Sequence, residues 1–158
     1  MEEILRYCDH IIFNSPAQFK KYRTAVKKAG RSMGMRINPE CSTQEGHAIY
    51  DPCAPFSRLG TTLEKFSEEM SPEEIAELDG LHFHTLCEQD AGALAETLDA
   101  VESKFGRYLP GMKWLNFGGG HHITRRDYDR ELLKKCIRSV KEKYGVEVYL
   151  EPGEAVAL

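Results

Sequence analysis

The sequence predicts an α/β protein made of about five strands, the C-terminal portion of a (β/α)8 TIM-type barrel. Strand and helix signals alternate along all 158 residues, which indicates a parallel sheet with right-handed crossovers. A complete barrel of this type needs about 250 residues, so the pattern predicts a barrel truncated at both ends. No break in composition indicates a second domain, and residues 1–158 are expected to form one partial barrel domain.

The first two strands are predicted over residues 10–14 and 32–39, and a short helical stretch precedes them. Ser15 and Pro16 predict the start of the helix between these strands, because serine is a frequent N-cap and proline suits the first helical position. Gly30 is expected to end that helix. Its predicted apolar stripe consists of Phe19, Tyr22 and Val26.

A long irregular segment over residues 40–62 follows the second strand, and connections of this length are often functional. Ser71 and Pro72 then predict a short helix. The third strand is predicted over residues 81–85.

The last two strands are predicted over residues 114–117 and 146–151. Asp90 is predicted to cap the helix before the first of them. Thr124 and Asp127 are predicted to cap the helix before the second. The final strand has the pattern of a buried strand that runs directly into Glu-Pro-Gly-Glu.

Composition and charge narrow the class of protein. The net charge is −4, which disfavours nucleic acid as a partner and is compatible with a cationic substrate. No apolar run approaches the roughly 20 residues that cross a bilayer, so no membrane partner is expected. The five cysteines form no C-x-x-C pair and favour neither a disulfide framework nor a zinc knuckle, which predicts a cytoplasmic protein.

Polar residues and glycines gather where the predicted strands end, the place where barrels bind ligands. A glutamate at a strand mouth suits a buried cationic nitrogen, and a triple glycine between strand and helix suits a phosphate. Together they indicate a phosphorylated heterocycle as the ligand. These strand-end residues are Asn14, Arg36, Asn38, His82, His84, Asn116, Gly118, Gly119, Gly120 and Glu151.

Each of these features also has a purely structural explanation. The glycines at 118–120 could form a flexible turn, and one of His82 and His84 could be a core histidine bonded to the backbone. Arg36 could lie at a surface edge, and Glu151 could belong to an ordinary strand end and turn. His121 and His122 are expected to be loop residues.

Six motifs taken together are more specific than any one of them. They lie at residues 13–16, 36–39, 57–60, 81–88, 115–122 and 151–155. They resemble the alanine-racemase-like, fold-type III pyridoxal-phosphate decarboxylases. Within that family they are most similar to the carboxynorspermidine/carboxyspermidine decarboxylases, and the resemblance covers essentially the whole chain.

The resemblance implies pyridoxal 5'-phosphate as cofactor and two catalytic residues in this chain. His84 would stack on the cofactor ring, and Glu151 would pair with the ring nitrogen. Arg36 would lie near the ring oxygen, and the three glycines would bind the phosphate. The implied cofactor-binding residues are Arg36, His84, Gly118, Gly119, Gly120, Glu151 and Gly153.

The same resemblance implies that Glu154 faces the tail of a cationic polyamine substrate. Other decarboxylases of the family carry arginine at that position and Gly-Ser in place of Leu86 and Cys87, and both differences fit the carboxynorspermidine subgroup. The family's Schiff-base lysine is absent from this chain, as is the β-domain that supplies a proton donor from a partner subunit.

The sequence therefore predicts part of a longer, homodimeric lyase of polyamine biosynthesis that converts carboxynorspermidine or carboxyspermidine to norspermidine or spermidine. The piece alone is expected to be inactive. Two alternatives remain open. His82 and His84 could belong to a metal-dependent barrel hydrolase, although no metal ligand set is predicted. A non-catalytic barrel that carries pyridoxal phosphate is the other alternative.

Overall fold

The computed structural model describes residues 1–44 and 51–157, which fold into a parallel sheet with helices in its connections. The strands are β1 (His10–Phe13), β2 (Ser32–Arg36), β3 (Gly80–His82), β4 (Trp114–Asn116) and β5 (Glu147–Tyr149). The helices are α1 (Glu2–Tyr7), α2 (Pro16–Lys28), α3 (Leu63–Glu69), α4 (Pro72–Ile75), α5 (Ala91–Phe105), α6 (Arg130–Tyr144) and α7 (Gly153–Ala157). A 3₁₀ turn covers Leu109–Gly111.

The sheet order follows the chain order, β1-β2-β3-β4-β5, and every neighbouring pair is parallel. Parallel neighbours require a crossover between each pair of strands, and helices occupy these crossovers. This arrangement is the one that successive strands of a barrel adopt. The predicted α/β class is therefore confirmed, and so is its assignment to part of a barrel.

Local sequence signals account for most helix starts. The Ser15 hydroxyl accepts a hydrogen bond from the Gln18 N–H, and Asp90 caps α5 in the same way. The predicted cap of α6 was wrong. Asp129, not Thr124, accepts the N-terminal hydrogen bond of α6, because the helix begins only at Arg130 and Asp129 is the residue directly before it.

Two further predictions need correction. The segment after residue 62 contains α3, which sequence reasoning missed although Thr62 caps it and Phe66 is completely buried. The final strand was expected to be buried, but β5 lies at an edge of the described sheet and Tyr149 is 42% exposed. Edge strands lose the neighbour that would cover them, so burial of β5 depends on contacts that its own sequence does not supply.

One face of the sheet is covered by helices, whose apolar stripes form a continuous core. Phe19 and Val26 of α2 are completely buried, as the stripe predicted, whereas Tyr22 is partly buried. The stripe of α5 is buried along its whole length, and α6 packs beside α5. Burial of this apolar surface provides the main stabilisation of the fold.

The opposite, concave face holds a tryptophan that lies across two glycines. Gly34, Gly80 and Trp114 stand side by side in the strand register. A Cβ at Gly80 would lie 2.1 Å from the indole, and one at Gly34 would lie 2.2 Å from it. The glycines therefore leave the space that the indole fills, and its Nε1–H donates to the Ser32 hydroxyl at 2.9 Å.

The concave face curls enough for the two edge strands to meet. His10 of β1 stacks on Trp114 with ring centroids 5.0 Å apart, and it meets the Tyr149 ring of β5 at the same distance. Side chains from opposite edges can touch only when the sheet bends strongly around them. The curvature is that of a barrel wall rather than of a flat open sheet.

The open edges of β1 and β5 predict self-association of this chain. Within the described residues β1 pairs only with β2 and β5 only with β4, so each presents free backbone groups that can pair with another chain. We expect light scattering after size-exclusion chromatography to show dimers or aggregates whose fraction grows with concentration. A soluble monomer with a cooperative thermal transition would contradict this expectation.

Candidate functional site

The carboxyl ends of β2, β3 and β4 place three polar side chains in one row. Arg36, His82 and Asn116 are neighbours in the strand register, and Tyr149 of β5 continues the row. Side-chain direction repeats every two residues, so Glu151 follows Tyr149 on the same face, one level further out. The fold therefore brings residues that are far apart in sequence to one edge of the sheet.

Glu151 is held by the side chains of the two strands beside it. The Asn116 Nδ2 donates to the Glu151 Oε1 at 2.8 Å, and the His82 Nε2 lies 3.7 Å from the same oxygen. The Glu151 side chain is 46% exposed. A carboxylate is thus oriented by its neighbours while one side of it remains open to a ligand.

His82 is a neutral imidazole at physiological pH. Burial lowers its pKa to about 4, and the nearby negative charge of Glu151 opposes that shift only in part. His82 therefore contributes little charge to balance Glu151. Its Nδ1 has no hydrogen-bond partner within residues 1–44 and 51–157.

The depressed pKa of His82 predicts that acid destabilises the fold. The unfolded chain takes up a proton near the ordinary pKa of 6.5, whereas folded His82 does so near 4. The His82 titration therefore leaves the free energy of unfolding unchanged above pH 6.5 and lowers it as the pH falls toward 4. His82→Gln removes this titration. The free energy of unfolding of the variant, relative to that of the parent protein, should therefore rise by about 2 kcal/mol from pH 7.5 to pH 5.

Urea unfolding of the parent and the variant in the longer polypeptide, at the two pH values, measures this difference. Groups far from residue 82 cancel in the comparison, whereas Glu151, Arg36 and His84 interact with His82 and contribute to the difference. A stability difference that does not change with pH would show that buried His82 accepts a proton as readily as an exposed histidine.

His84 and Arg36 form a second pair at the strand ends. The Arg36 Nη2 donates to the His84 carbonyl oxygen at 3.1 Å, and the Gly119 N–H points to the His84 Nδ1 at 3.4 Å. Burial lowers the pKa of His84, and the charge of Arg36 lowers it further. Burial also lowers the pKa of Arg36 itself, with Cys53 and Glu151 opposing that shift. His84 is thus a neutral ring fixed between the arginine and the glycine loop.

The glycines at 118–120 are required by close packing and by their backbone conformation. Gly118 and Gly120 have φ values of 70° and 78°, in the region that favours glycine. A Cβ at Gly119 would lie 2.7 Å from the Glu151 carbonyl oxygen and 3.1 Å from the His84 ring. The loop therefore packs closely against the residues that follow β3 and β5.

The amide groups of this loop differ in their availability. The Gly118 N–H donates to the Asn116 Oδ1 at 2.8 Å, and the Gly119 N–H makes only the long contact with His84. The Gly120 N–H has no hydrogen-bond partner in the part of the chain that the structure describes. Gly119 and Gly120 thus present the amide groups that could meet an anion.

A cleft of about 260 Å³ connects these groups. Its lining residues are His84, Leu86, Cys87, Glu88, Gly119, Gly120, His121, Glu151, Gly153 and Glu154. Six of the sequence-predicted site residues therefore share one cleft, whereas Arg36 and Gly118 lie outside its lining. No lysine is among the described residues that line it. The His122 Nε2 lies 3.4 Å from the Glu154 Oε2 at its rim.

Sequence reasoning assigned no role to two residues that the structure places at the site. Asn116 was recognised at a strand end, but only the fold shows that it contacts Glu151. His121 was interpreted as a loop residue, and the structure shows that it is 1% exposed and lines the same cleft. Burial lowers the pKa of His121, and neither of its ring nitrogens has a hydrogen-bond partner among residues 1–44 and 51–157.

The described residues also contain a group with the composition of a metal site. One donor atom each from His82, His84 and Glu151 lie within 4.8 Å of one another. Two features disfavour a cation there. Asn116 already donates to Glu151, and the charge of Arg36 acts on both histidines.

Across residues 1–44 and 51–157, no helix is long and apolar enough to span a membrane.

Two known decarboxylases are similar to this chain in sequence. No model of a protein family matches it. The chain is 46% identical over 154 residues to the carboxynorspermidine/carboxyspermidine decarboxylase of Campylobacter jejuni. This alignment covers 98% of the chain and 38% of that protein. It is 37% identical over 155 residues to the carboxyaminopropylagmatine decarboxylase of Synechocystis sp. That alignment covers 98% of the chain and 39% of the Synechocystis protein.

The fold leads to the same group. The crystal structure of carboxynorspermidine decarboxylase from Campylobacter jejuni, complexed with norspermidine, superposes with a TM-score of 0.81 at 45% identity over 98% of this chain and 37% of that chain. The chain thus spans less than two fifths of the length of these relatives. In sequence and in fold, the chain is similar to the carboxynorspermidine/carboxyspermidine decarboxylase of Campylobacter jejuni and matches 38% of the length of that protein.

Proposed function

We propose that this chain forms part of the cofactor-binding barrel of a longer pyridoxal 5'-phosphate-dependent decarboxylase. The observation that carries the proposal is the Glu151 carboxylate, which Asn116 holds at 2.8 Å beside a neutral His84 ring and a tightly packed glycine loop. The substrate is carboxynorspermidine or carboxyspermidine, and the product is norspermidine or spermidine. Support for this substrate class comes from the names of the relatives.

The residues present fit the cofactor group by group. Glu151 would accept a hydrogen bond from the pyridine nitrogen and keep it protonated, and His84 would stack on the ring. The amides of Gly119 and Gly120 would donate to the phosphate, and Gly153 lies across the same cleft. Arg36 would lie near the ring oxygen. When bound, the cofactor supplies the electron sink for the carbanion left by loss of carbon dioxide.

Glu154 is the proposed contact for the cationic substrate tail. It lines the cleft beside Gly153, and its neighbour His122 lies 3.4 Å away. A carboxylate at the cleft rim attracts ammonium groups, and the net charge of −4 acts in the same direction. We place Glu154 in substrate binding rather than in the chemical step.

The remaining parts of the proposal concern the longer protein. Residues 1–158 would be one partial cofactor-binding barrel domain within it. The covalent lysine would come from outside this chain, which agrees with the cleft having no lysine among its described lining residues. We propose that the longer enzyme is a homodimer in the cytoplasm.

The decisive experiment uses the longer polypeptide that carries this chain. Purified protein with pyridoxal phosphate should release carbon dioxide from carboxynorspermidine or carboxyspermidine and form the matching polyamine. Borohydride reduction followed by mass spectrometry should locate the cofactor on one lysine outside residues 1–158. Covalent cofactor without decarboxylation would instead favour a non-catalytic carrier, and hydrolysis that depends on a tightly bound metal would favour the hydrolase alternative.

A further inference from the structure

We infer that Asn116 is a positioning residue that ties the Glu151 carboxylate and the glycine loop into one geometry. The inference rests on the proposed function, because it concerns how Glu151 is presented to a cofactor ring. It assigns to Asn116 no contact with the cofactor or the substrate. Its effect would pass entirely through the two groups that its amide joins.

The orientation of the Asn116 amide follows from its hydrogen bonds. Its Oδ1 accepts from the Gly118 N–H at 2.8 Å, and its Nδ2 donates to the Glu151 Oε1 at 2.8 Å. A side-chain amide has one acceptor end and one donor end, so the Gly118 bond turns the donor end toward Glu151. The side chain is buried, at 7% exposure, which makes both bonds costly to lose.

The contacts leave the two oxygens of Glu151 in different situations. The Asn116 Nδ2 and the His82 Nε2 both approach Oε1, at 2.8 and 3.7 Å. Oε2 receives no hydrogen bond from the residues described at 1–44 and 51–157. Since Glu151 also lines the cleft, Oε2 is the oxygen that is available to a ligand there.

The Asn116 amide also links the two sides of the proposed cofactor site, the Glu151 carboxylate and the glycine loop. Gly118 begins the loop whose later amides face the cleft, and Glu151 lies across that cleft. One side chain therefore fixes both the proposed ring partner and the start of the proposed phosphate loop. A change at residue 116 should act on cofactor affinity and on the electronic state of the ring together.

Asn116→Asp separates the two hydrogen bonds. Aspartate has nearly the same shape and still accepts from the Gly118 N–H, but it replaces the donor facing Glu151 by a negative oxygen. The double variant Asn116→Asp with Glu151→Gln restores a donor and an acceptor in exchanged positions. Glu147→Gln is a matched control, because Glu147 lies on β5 with a 68% exposed side chain that pairs with Lys141.

Two measurements on the longer polypeptide test the inference. One is the dissociation constant of pyridoxal phosphate. The other is the pH dependence of the absorption spectrum of the bound cofactor, which reports the protonation of its ring nitrogen. Asn116→Asp should weaken binding about tenfold or more, because a second negative oxygen then faces the Glu151 carboxylate and displaces it, and it should shift the spectral titration.

The double variant should recover cofactor binding relative to Asn116→Asp alone. Because the new glutamine then donates its NH2 to the new aspartate, its amide oxygen faces the cleft, and the spectral titration should differ from that of Glu151→Gln alone. Parental affinity and spectrum in Asn116→Asp, or no recovery in the double variant, would overturn the inference. If Asn116→Asp does not fold, recovery of the fold and of binding in the double variant supports the inference, and failure to recover overturns it. A parent protein that binds no pyridoxal phosphate would overturn the proposed function itself.

Discussion

Glu151→Gln in the longer polypeptide should lower kcat about a hundredfold while pyridoxal phosphate stays bound. Glutamine can still accept a hydrogen bond from Asn116 through its amide oxygen, so the side chain should keep its place. Its neutral amide cannot hold the pyridine nitrogen protonated, which weakens the electron sink that the reaction requires. A loss of about 3 kcal/mol of transition-state stabilisation corresponds to this hundredfold change.

Single-turnover kinetics measure the loss of rate, and the cofactor content of the purified variant shows whether pyridoxal phosphate stays bound. Glu147→Gln is the control, because its carboxylate lies at the other end of β5 and pairs with Lys141 at 2.8 Å. An unchanged kcat in Glu151→Gln would show that Glu151 is not the partner of the ring nitrogen. Equal losses in both variants would point to a general effect on β5.

Gly120→Ala should be among the most destabilising single-methyl changes in this chain. The new Cβ would lie 2.0 Å from the Leu86 carbonyl oxygen, and the backbone has a φ of 78°. The contact is with backbone, which cannot rotate away as a side chain can, so the loop must move from its position between the strands. We expect a loss of at least about 2 kcal/mol beyond the ordinary cost of a positive φ.

Gly145→Ala supplies the matched control for this effect. Gly145 lies at the end of α6 with a similar φ of 69°, and a Cβ added there would have no other atom within 4 Å. Urea unfolding of the two variants in the longer polypeptide therefore separates packing from backbone strain. Equal destabilisation would mean that the loop can shift to accept a methyl group. That outcome would also weaken the argument for a rigid anion-binding loop.

Local signals in the sequence were sufficient for the fold class. The alternation of strands and helices, the Ser15 and Asp90 caps and the apolar stripes depend on neighbours within a few residues, and each appears in the structure. The motifs at the strand ends pointed to the same group of decarboxylases that the relatives belong to. These features can be inferred in advance because local geometry decides them.

Contacts between distant residues were beyond such inference. The start of α6 lies at Arg130 with Asp129 as its cap, and the exposure of β5 depends on which strands lie beside it. Residue spacing alone could not show that Asn116 donates to Glu151, which lies 35 positions further along the chain.

The sequence by itself determined which residue types stand at the strand ends, because the period of each strand and the turn after it are local. Only the tertiary structure decided how these residues interact. The curl of the sheet brings His10 against Tyr149, packs the glycine loop against His84 and leaves one oxygen of Glu151 for a ligand. The physical reason is that pairing between strands, burial and the pKa shifts that follow from it are properties of the assembled sheet, for which no single segment of the chain is sufficient.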